Sequence, residues 1–457
     1  MAYEGKLVSV TDMAMEREAR VASRAELLSK YPGRTVLTLT MNIPGPRKSG
    51  ADFYRAFCIG RNAAEEAMAS HSVRVFSKKT RRNRAGYTAF YVTDGRADEL
   101  KHIMMDVEQK HPLGRLFDLD ITAENGENVS RNDFGNPPRR CFICGRDAKE
   151  CGRNRTHSAQ ELASAVERMI QNYTASAIAN AASDAMTMEV ETAPKPGLVD
   201  PITPGAHKDM DIHTFRASIR AITPFFEEMA FAGLSHKGRP RELFPKLREI
   251  GLHAEKAMFS VTGGVNTHKG AIFSIGLLCA AAGLQLSNQG CVAAEEITSM
   301  ASQIVAPEME QEWNDISNRS KHTKGELLFL QHGNRGIRGE AADGYPSVLA
   351  VLPGFKEESA SGAGKNEVKL QTLFRLMTIS EDTNVLARCG ENGLQWMKET
   401  AKRILEAGGA YSARGMTLIA GLDSDFTKRN MSPGGCADLL SAVLLLDQLE
   451  KIPWLKG

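Results

Sequence analysis

The sequence predicts a chain of two parts: a mixed α/β region up to about residue 160, then an all-α region. Three observations predict this. Strand-like runs such as "TVLTLTMNI" (35–43) and "GYTAFYVTD" (86–94) occur in the first part, and no convincing strand follows residue 190. Ser158 and Glu161 form a Ser-x-x-Glu capping box, the local signature of a helix start, and an alanine-rich run follows it to about Glu189. At 457 residues the chain exceeds one ordinary core, so two or three domains are expected. We divide it into residues 1–162 and 163–457.

Taken in order, residues 12–30 read as a charged helix, 35–43 as a strand ended by Pro44, and 86–94 as a second strand. "RLFDLDITAENGENVSR" (115–131) reads as a hairpin with Asn125-Gly126 at its turn. In the second part Phe215, Ile219, Ile222 and Phe226 recur at spacings of four, three and four, which is one helix face, and Leu370, Phe374 and Met377 repeat the pattern. The uncharged run Gly270 to Ala294 contains Gln285, Ser287, Asn288 and Gln289, and reads as a buried helix followed by a turn rather than a membrane span. "KEESASGAGKNE" (356–367) reads as a flexible surface loop.

Composition narrows the class. The chain is 42% hydrophobic and 25% charged, as in soluble globular proteins. The first residues carry acids and no apolar core, so no export signal is expected, and a cytoplasmic location follows. Eight cysteines in this length suggest free or metal-bound thiols rather than a disulfide scaffold. Residues 1–162 hold 27 Lys and Arg against 21 Asp and Glu, a net +6; residues 163–457 hold 30 against 34, a net −4. The first part therefore suits an acidic or polyanionic partner. Aromatic content of 6% and the lack of a basic–aromatic stripe argue against nucleic acid.

In the first part, "LFDLDI" sets Asp118 and Asp120 two apart on an apolar strand, so both carboxylates leave one face. Such a pair repels itself unless a cation or an arginine lies between, and nucleotidyltransferases hold Mg²⁺ against a triphosphate in this way. The relation to that fold is one of analogy at most. Arg115 lies nearby in sequence, and the loop "NIPGPRKSG" (42–50) offers Arg47 and Lys48 as further phosphate ligands. Cys141, Cys144, Cys151 and His157 have zinc-knuckle character with a non-standard spacing, and would form a structural staple. "NIPGPRK", "HPLGRLFDLDI", "PPRRCFICGR" and "RTHSAQEL" together resemble the apo-citrate lyase phosphoribosyl-dephospho-CoA transferase family over residues 10–165. The resemblance implies transfer of a prosthetic group onto a serine of the citrate lyase acyl carrier subunit with release of pyrophosphate. Asp118 and Asp120 would hold the metal, and Arg115, Arg139 and Arg140 the pyrophosphate.

The second part is rich in loops that combine glycine or proline with titratable groups. "PKPGLVD" and "GAHKDMD" supply Lys195, Asp200, His207 and Asp209 on a loop stiffened by proline. "TGGVNTHKGAIFS" supplies Gly263, Gly264, Asn266, His268 and Lys269 ahead of a buried helix, whose N-terminus favours phosphate. Glu326, Arg338, Glu340 and Asp382 follow, then Gly434, Gly435 and Asp438 in "SPGGCADLL". Packing alone does not require charges beside every turn, so these loops point to a nucleotide site. The set resembles the triphosphoribosyl-dephospho-CoA synthase family over about residues 170–450, with Cys436 standing where a residue such as Ser is expected.

Together the resemblances imply a bifunctional transferase. ATP and 3′-dephospho-CoA would give triphosphoribosyl-dephospho-CoA and adenine, and the first region would pass the product to the carrier. Lys195, His207, His268, Lys269 and Arg338 are phosphate or acid candidates; Asp200, Asp209, Glu326, Glu340, Asp382 and Asp438 are metal or base candidates. Mg²⁺ is the expected ion, and no membrane or nucleic-acid partner is implied. The alternative is a helical, metal-dependent N-glycoside or ADP-ribosyl hydrolase with a regulatory N-terminal domain.

Overall fold

The computed structural model describes residues 7–130, 139–290, 292–316, 322 and 324–455. The chain divides into two compact units: the first runs through Tyr173 and includes Pro453–Leu455, and the second spans Thr174–Ile452.

The first unit is mixed α/β. Helix α1 (Val10–Lys30) starts at a capping box in which Ser9 Oγ accepts from Asp12 N and Asp12 accepts from Ser9 N. The succession is then β1 (Thr35–Met41), α2 (Ala51–Ser70), β2 (Val75–Asn83), β3 (Gly86–Thr93), α3 (Ala97–Lys110), β4 (Phe117–Thr122), β5 (Asn128–Val129) and α4 (Ala148–Arg153). The sheet order is β2-β3-β1-β4-β5, antiparallel throughout. The expected helix at 12–30, strands at 35–43 and 86–94, and hairpin are all present, with Gly126 at positive φ in the turn. Helices α2 and α3 and strand β2 lie where the sequence suggested no element. Strand β2 alternates half-buried and exposed positions and carries Lys78, Lys79, Arg81 and Arg82, so its apolar signal is weak.

Strand β4 is held from both sides. Its register with β1 sets Asp118 opposite Thr40 and Asp120 opposite Thr38. Strand β5 pairs only with Ile121 and Thr122. Next to it, side chains of α3 complete the ladder: Glu108 Oε1 accepts from Leu119 N at 2.9 Å, and Lys101 Nζ donates to Leu119 O at 2.9 Å. Both backbone groups of the residue between the two aspartates are thereby satisfied, as buried peptide groups require.

Helix α5 (Ala159–Val190) begins at the expected box, with Ser158 N donating to Glu161 at 2.7 Å and Glu161 N to Ser158 Oγ at 3.2 Å. The second unit continues with α6 (Ile212–Ser235), α7 (Phe244–Val261), α8 (Lys269–Gln289), α9 (Ala294–Asp315), α10 (Lys324–His332), α11 (Gly336–Ala342), α12 (Pro346–Ala360), α13 (Lys365–Ile379), α14 (Thr383–Glu406), α15 (Ala413–Lys428) and α16 (Gly434–Lys451). No strand occurs among its described residues. Ile219, Ile222 and Phe226 on α6, and Leu370, Phe374 and Met377 on α13, are buried as their spacing requires. Helix α8 is apolar on every side, and a helix of that kind belongs in an interior. It is long and apolar enough to cross a membrane, yet 83% of its most apolar window is buried within the protein. Glycines let α6 and α8 touch: a Cβ on Gly233 would stand 2.0 Å from Ala280 O, and one on Gly283 2.3 Å from Ala230 O.

The expected loop at 356–367 is a correction. Residues 356–360 end α12, Lys365 to Glu367 begin α13, and only the short turn 361–364 lies between. Lys, Glu and Ala favour helix, and the two glycines need no more than that turn.

Candidate active sites

The first cleft lies at the Asp118 edge of β4, a cavity of about 280 Å³ lined by Arg17, Arg20, Thr40, Lys48, Tyr87, Asp118 and Arg139 among others. Four cations therefore face one half-exposed carboxylate. Arg17 and Arg20 are three apart on α1, hence on one helix face. Arg139 donates to Asp118 at 2.8 Å and to Glu108 at 3.2 Å. Asp120 is open to solvent at its outer edge, yet desolvation by the surrounding sheet, followed by the Asp118 charge, pushes its carboxyl up. Of the expected phosphate ligands only Arg139 and Lys48 line this cavity. Arg47 is paired with Glu167 and stacks over Phe53. Arg115 donates to Arg140 O at 2.7 Å and lies over Phe142, and Arg140 is bridged to Asp147. Arg17, Arg20 and Glu108 escaped the sequence reading; the three-residue spacing of the arginines on α1 was the available signal.

The four ligand atoms of Cys141, Cys144, Cys151 and His157 all lie within 4.8 Å of one another. Cys144 Sγ and Cys151 Sγ are 3.3 Å apart, and both are free thiols. A tight turn builds the cluster: Cys141 N donates to Arg146 O at 2.7 Å, and Asp147 caps α4, which carries Cys151.

The second cleft is larger, about 610 Å³, and several separate chain segments supply its walls. Lys195, His207 and Asp209 come from the proline-rich loop, and Asn266, His268 and Lys269 from the turn before α8. Glu340 comes from α11, Asp382, Asn384 and Arg388 from the start of α14, and Ser432, Gly434, Gly435 and Asp438 from the start of α16. Glu189, at the end of α5, completes it.

The proline-rich loop is stapled before it reaches the cavity. Asp200 accepts from the backbone N–H groups of Lys195, Ile202 and Thr203 at 2.7 to 2.8 Å, and Asp423 accepts from Gly197 N and Thr203 Oγ1. Asp200 thus holds the loop and does not line the cavity. Lys195 is buried and donates to both the backbone and the carboxylate of Glu189. Burial pushes the Glu189 carboxyl up, while Lys195 opposes that rise. Asp438 is driven well above the carboxylate range, by burial first and then by Glu189 and Asp382. Gly270 makes room for it: a Cβ there would stand 2.1 Å from Asp438 Oδ2. Asp382 caps α14 through Asn384 N and Val385 N and also accepts from Cys436 N, tying two helix starts together.

Both cavity histidines are neutral in ordinary conditions. His268 bonds Ser218 Oγ at 2.8 Å, packs edge-on to Phe215, and is pushed down to about 3, by burial first and then by Lys195. His207 Nε2 is 2.9 Å from Ser432 Oγ, and burial first, then Arg388, lowers it. Burial raises Glu340, which accepts from Ser347. Besides Asp200, four expected residues lie outside the lining: Gly263 and Gly264, whose positive φ ends α7; Glu326 on α10; and Arg338, paired with Glu312 at 3.1 Å. Glu189, Arg388 and Ser218 were not anticipated, because no local pattern marks them.

Residues 175–456 match the family described as ATP:dephospho-CoA triphosphoribosyl transferase, and residues 8–173 the family described as apo-citrate lyase phosphoribosyl-dephospho-CoA transferase. Whole-length relatives carry both parts. A protein called CitXG from Leuconostoc mesenteroides subsp. cremoris is 33% identical over 97% of this chain and 98% of its own length. Another of that name from Haemophilus influenzae is 34% identical over 96% of each. The 2-(5″-triphosphoribosyl)-3′-dephosphocoenzyme-A synthase of Pectobacterium atrosepticum is 39% identical over 63% of this chain and 94% of its own length.

Proposed function

The chain belongs to the ATP:dephospho-CoA triphosphoribosyl transferase family, in the fused form that carries an apo-citrate lyase phosphoribosyl-dephospho-CoA transferase ahead of it, and from that premise we propose how its residues divide the work. The enzyme makes and attaches the citrate lyase prosthetic group. ATP and 3′-dephospho-CoA give 2′-(5″-triphosphoribosyl)-3′-dephospho-CoA and adenine. The product then goes to a serine of the acyl carrier subunit, and pyrophosphate leaves. We assign synthesis to residues 163–457 and transfer to residues 1–162.

The observation that carries the synthase reading is the meeting of several distant chain segments on one cavity of about 610 Å³, with cations, carboxylates and neutral imidazoles on its walls. Synthesis is glycosyl transfer: the ribose 2′-hydroxyl of dephospho-CoA displaces adenine from C1′ of ATP. His207, neutral and oriented by Ser432, suits the base that takes the hydroxyl proton. Glu340, whose carboxyl is raised by burial, suits the acid that protonates the departing adenine. Neutral His268, Lys195, Lys269 and the start of α8 suit phosphate binding. Asp209 lies on the same wall as His207.

Burial raises the carboxyls of Glu189, Asp382 and Asp438, and the first two raise Asp438 further; three carboxyls gathered on one cavity fit a divalent cation. Asp118 and Asp120 fit a second such site. Mg²⁺ bound there would supply charge neutralisation across the phosphates. In the transfer cleft, Arg17, Arg20, Lys48 and Arg139 suit the pyrophosphate and an acidic carrier surface. The nucleotidyltransferase relation remains one of chemistry, two strand carboxylates and a polyphosphate, rather than of fold. Three thiols and an imidazole suit structural Zn²⁺. Seven free thiols among the described cysteines support a cytoplasmic setting.

Incubation of the full chain with ATP, with and without dephospho-CoA, tests the reading by mass analysis. Adenine and the triphosphoribosyl product are expected only when both substrates are present. Adenine released equally without dephospho-CoA would sink it in favour of hydrolysis.

A further inference from the structure

We infer that the Cys141–Cys144–Cys151–His157 cluster is a zinc centre whose task is to position Arg139 in the transfer cleft. This goes beyond a structural zinc and rests on the first unit being the carrier transferase.

The donor set is the first argument. A tetrahedral zinc with arms of roughly 2.1 to 2.3 Å spaces its ligands roughly 3.4 to 3.8 Å apart. The four ligand atoms lie within 4.8 Å of one another, so a small inward movement closes the tetrahedron. His157 Nε2 is buried, and among the described residues no hydrogen bond satisfies it. A buried ring nitrogen calls for a partner, and a metal ion supplies one.

The route to the cleft is the second. Arg139 and Arg140 run directly into Cys141. Ala148 N, at the start of α4, donates to Arg139 O at 2.8 Å, and Arg140 is bridged to Asp147. Arg115 Nε donates to Arg140 O at 2.7 Å. The backbone of this two-residue segment is therefore sewn to the turn that presents Cys144 and to the helix that presents Cys151. The Arg139 side chain reaches the other way, to Asp118 at 2.8 Å and Glu108 at 3.2 Å. A guanidinium clamps a phosphate or carboxylate only when its fork is aimed, and aim is set by the backbone that carries it. The sheet does not carry Arg139; the knuckle does. A segment this short and poor in apolar residues gains its order from the metal, so loss of metal releases the segment and with it Arg139.

The test uses the full chain, elemental analysis and two activities: adenine release, and carrier modification from pre-made triphosphoribosyl-dephospho-CoA. One equivalent of zinc is expected, and Co²⁺ substitution should give the visible bands of a tetrahedral thiolate site. Cys144→Ser and His157→Ala should lose the metal. Each should lower carrier modification at least tenfold through a raised KM for the phosphorylated donor, with adenine release intact. His157→Cys restores a fourth ligand and should keep both metal and transfer. Arg139→Ala should show the same defect with zinc fully bound. Cys144→Ser combined with Arg139→Ala should be no worse than either alone, because they act on one interaction. Wild-type protein without zinc overturns the metal site. Metal-free variants that transfer normally, or additive losses in the double variant, overturn the route through Arg139. Wild-type protein that holds zinc and releases adenine but modifies no carrier overturns the transferase reading itself.

Discussion

In the transfer cleft, opposite charges are brought face to face near the surface: Arg139 on Asp118, with Arg17, Arg20 and Lys48 around the same opening. In the synthase cavity, titratable groups are buried instead: Lys195, Glu189, Asp382 and a neutral His268 lie inside, with Asp438 half-buried beside them. The first arrangement works by Coulomb pairing at a rim that a protein partner can approach, and it is sensitive to salt. The second works by desolvation, which moves protonation states away from their ordinary values and makes every remaining charge stronger. A cleft that must admit a carrier serine has to stay open. One that joins two small molecules and excludes water can close around them. Four experiments break or sharpen this contrast.

The largest effect is expected in the transfer cleft. Asp118→Asn and Asp120→Asn keep shape and remove charge. Carrier modification should fall roughly a thousandfold, about 4 kcal/mol of barrier, with adenine release unchanged. Near-normal modification by both variants would mean the pair is only a solvated face of the hairpin.

The counterpart in the synthase cavity is Gly270→Ala. The added methyl would stand 2.1 Å from Asp438 Oδ2 and must displace that carboxylate or α8. Turning that carboxylate out of its place in the cavity should lower adenine release on the order of ten- to a hundredfold, about 1.4–2.7 kcal/mol of barrier. Transfer of pre-made triphosphoribosyl-dephospho-CoA should be untouched. Equal loss of both activities would remove the distinction between the clefts.

Acidification separates desolvation from pairing. His268 sits at about 3 when folded and about 6.5 when unfolded, so between those values the unfolded chain binds the extra proton. Stability from this group is therefore complete above about pH 6.5 and is lost as pH falls towards 3. Between pH 6.5 and 5 the loss is about 2 kcal/mol. His268→Gln should flatten that limb in thermal melts of the second unit; an unchanged limb would show that His268 is not held neutral by burial.

The smallest effect is expected at a helix start that belongs to neither cleft. Ser158→Ala removes the cap of α5 and should cost about 1 kcal/mol of stability, read by denaturant titration, with both activities intact.

Much of this was legible locally. Strand alternation set Asp118 and Asp120 on one face, the Ser158–Glu161 box marked the start of α5, and an apolar run without a polar side marked α8 as interior. The residues of the synthase motifs were also readable, since proline, glycine and charge in short loops stand out from helical texture. Each of these signals has a period or spacing shorter than a few turns of chain, and local sterics and hydrogen bonding decide it. What only the tertiary structure decided was which distant groups meet. Asp200 and Asp382 resemble Asp438 in sequence, but packing makes two of them backbone anchors and leaves the third against Gly270. Glu189 carries no motif and becomes the partner of Lys195. Leu119 has its peptide groups satisfied by Lys101 and Glu108 from α3, and Asp118 receives Arg139 from beside the cysteine cluster. No periodicity encodes such pairings. They follow from closing long stretches of chain over a common core, and the burial that shifts His268 and Asp438 exists only once that core has closed.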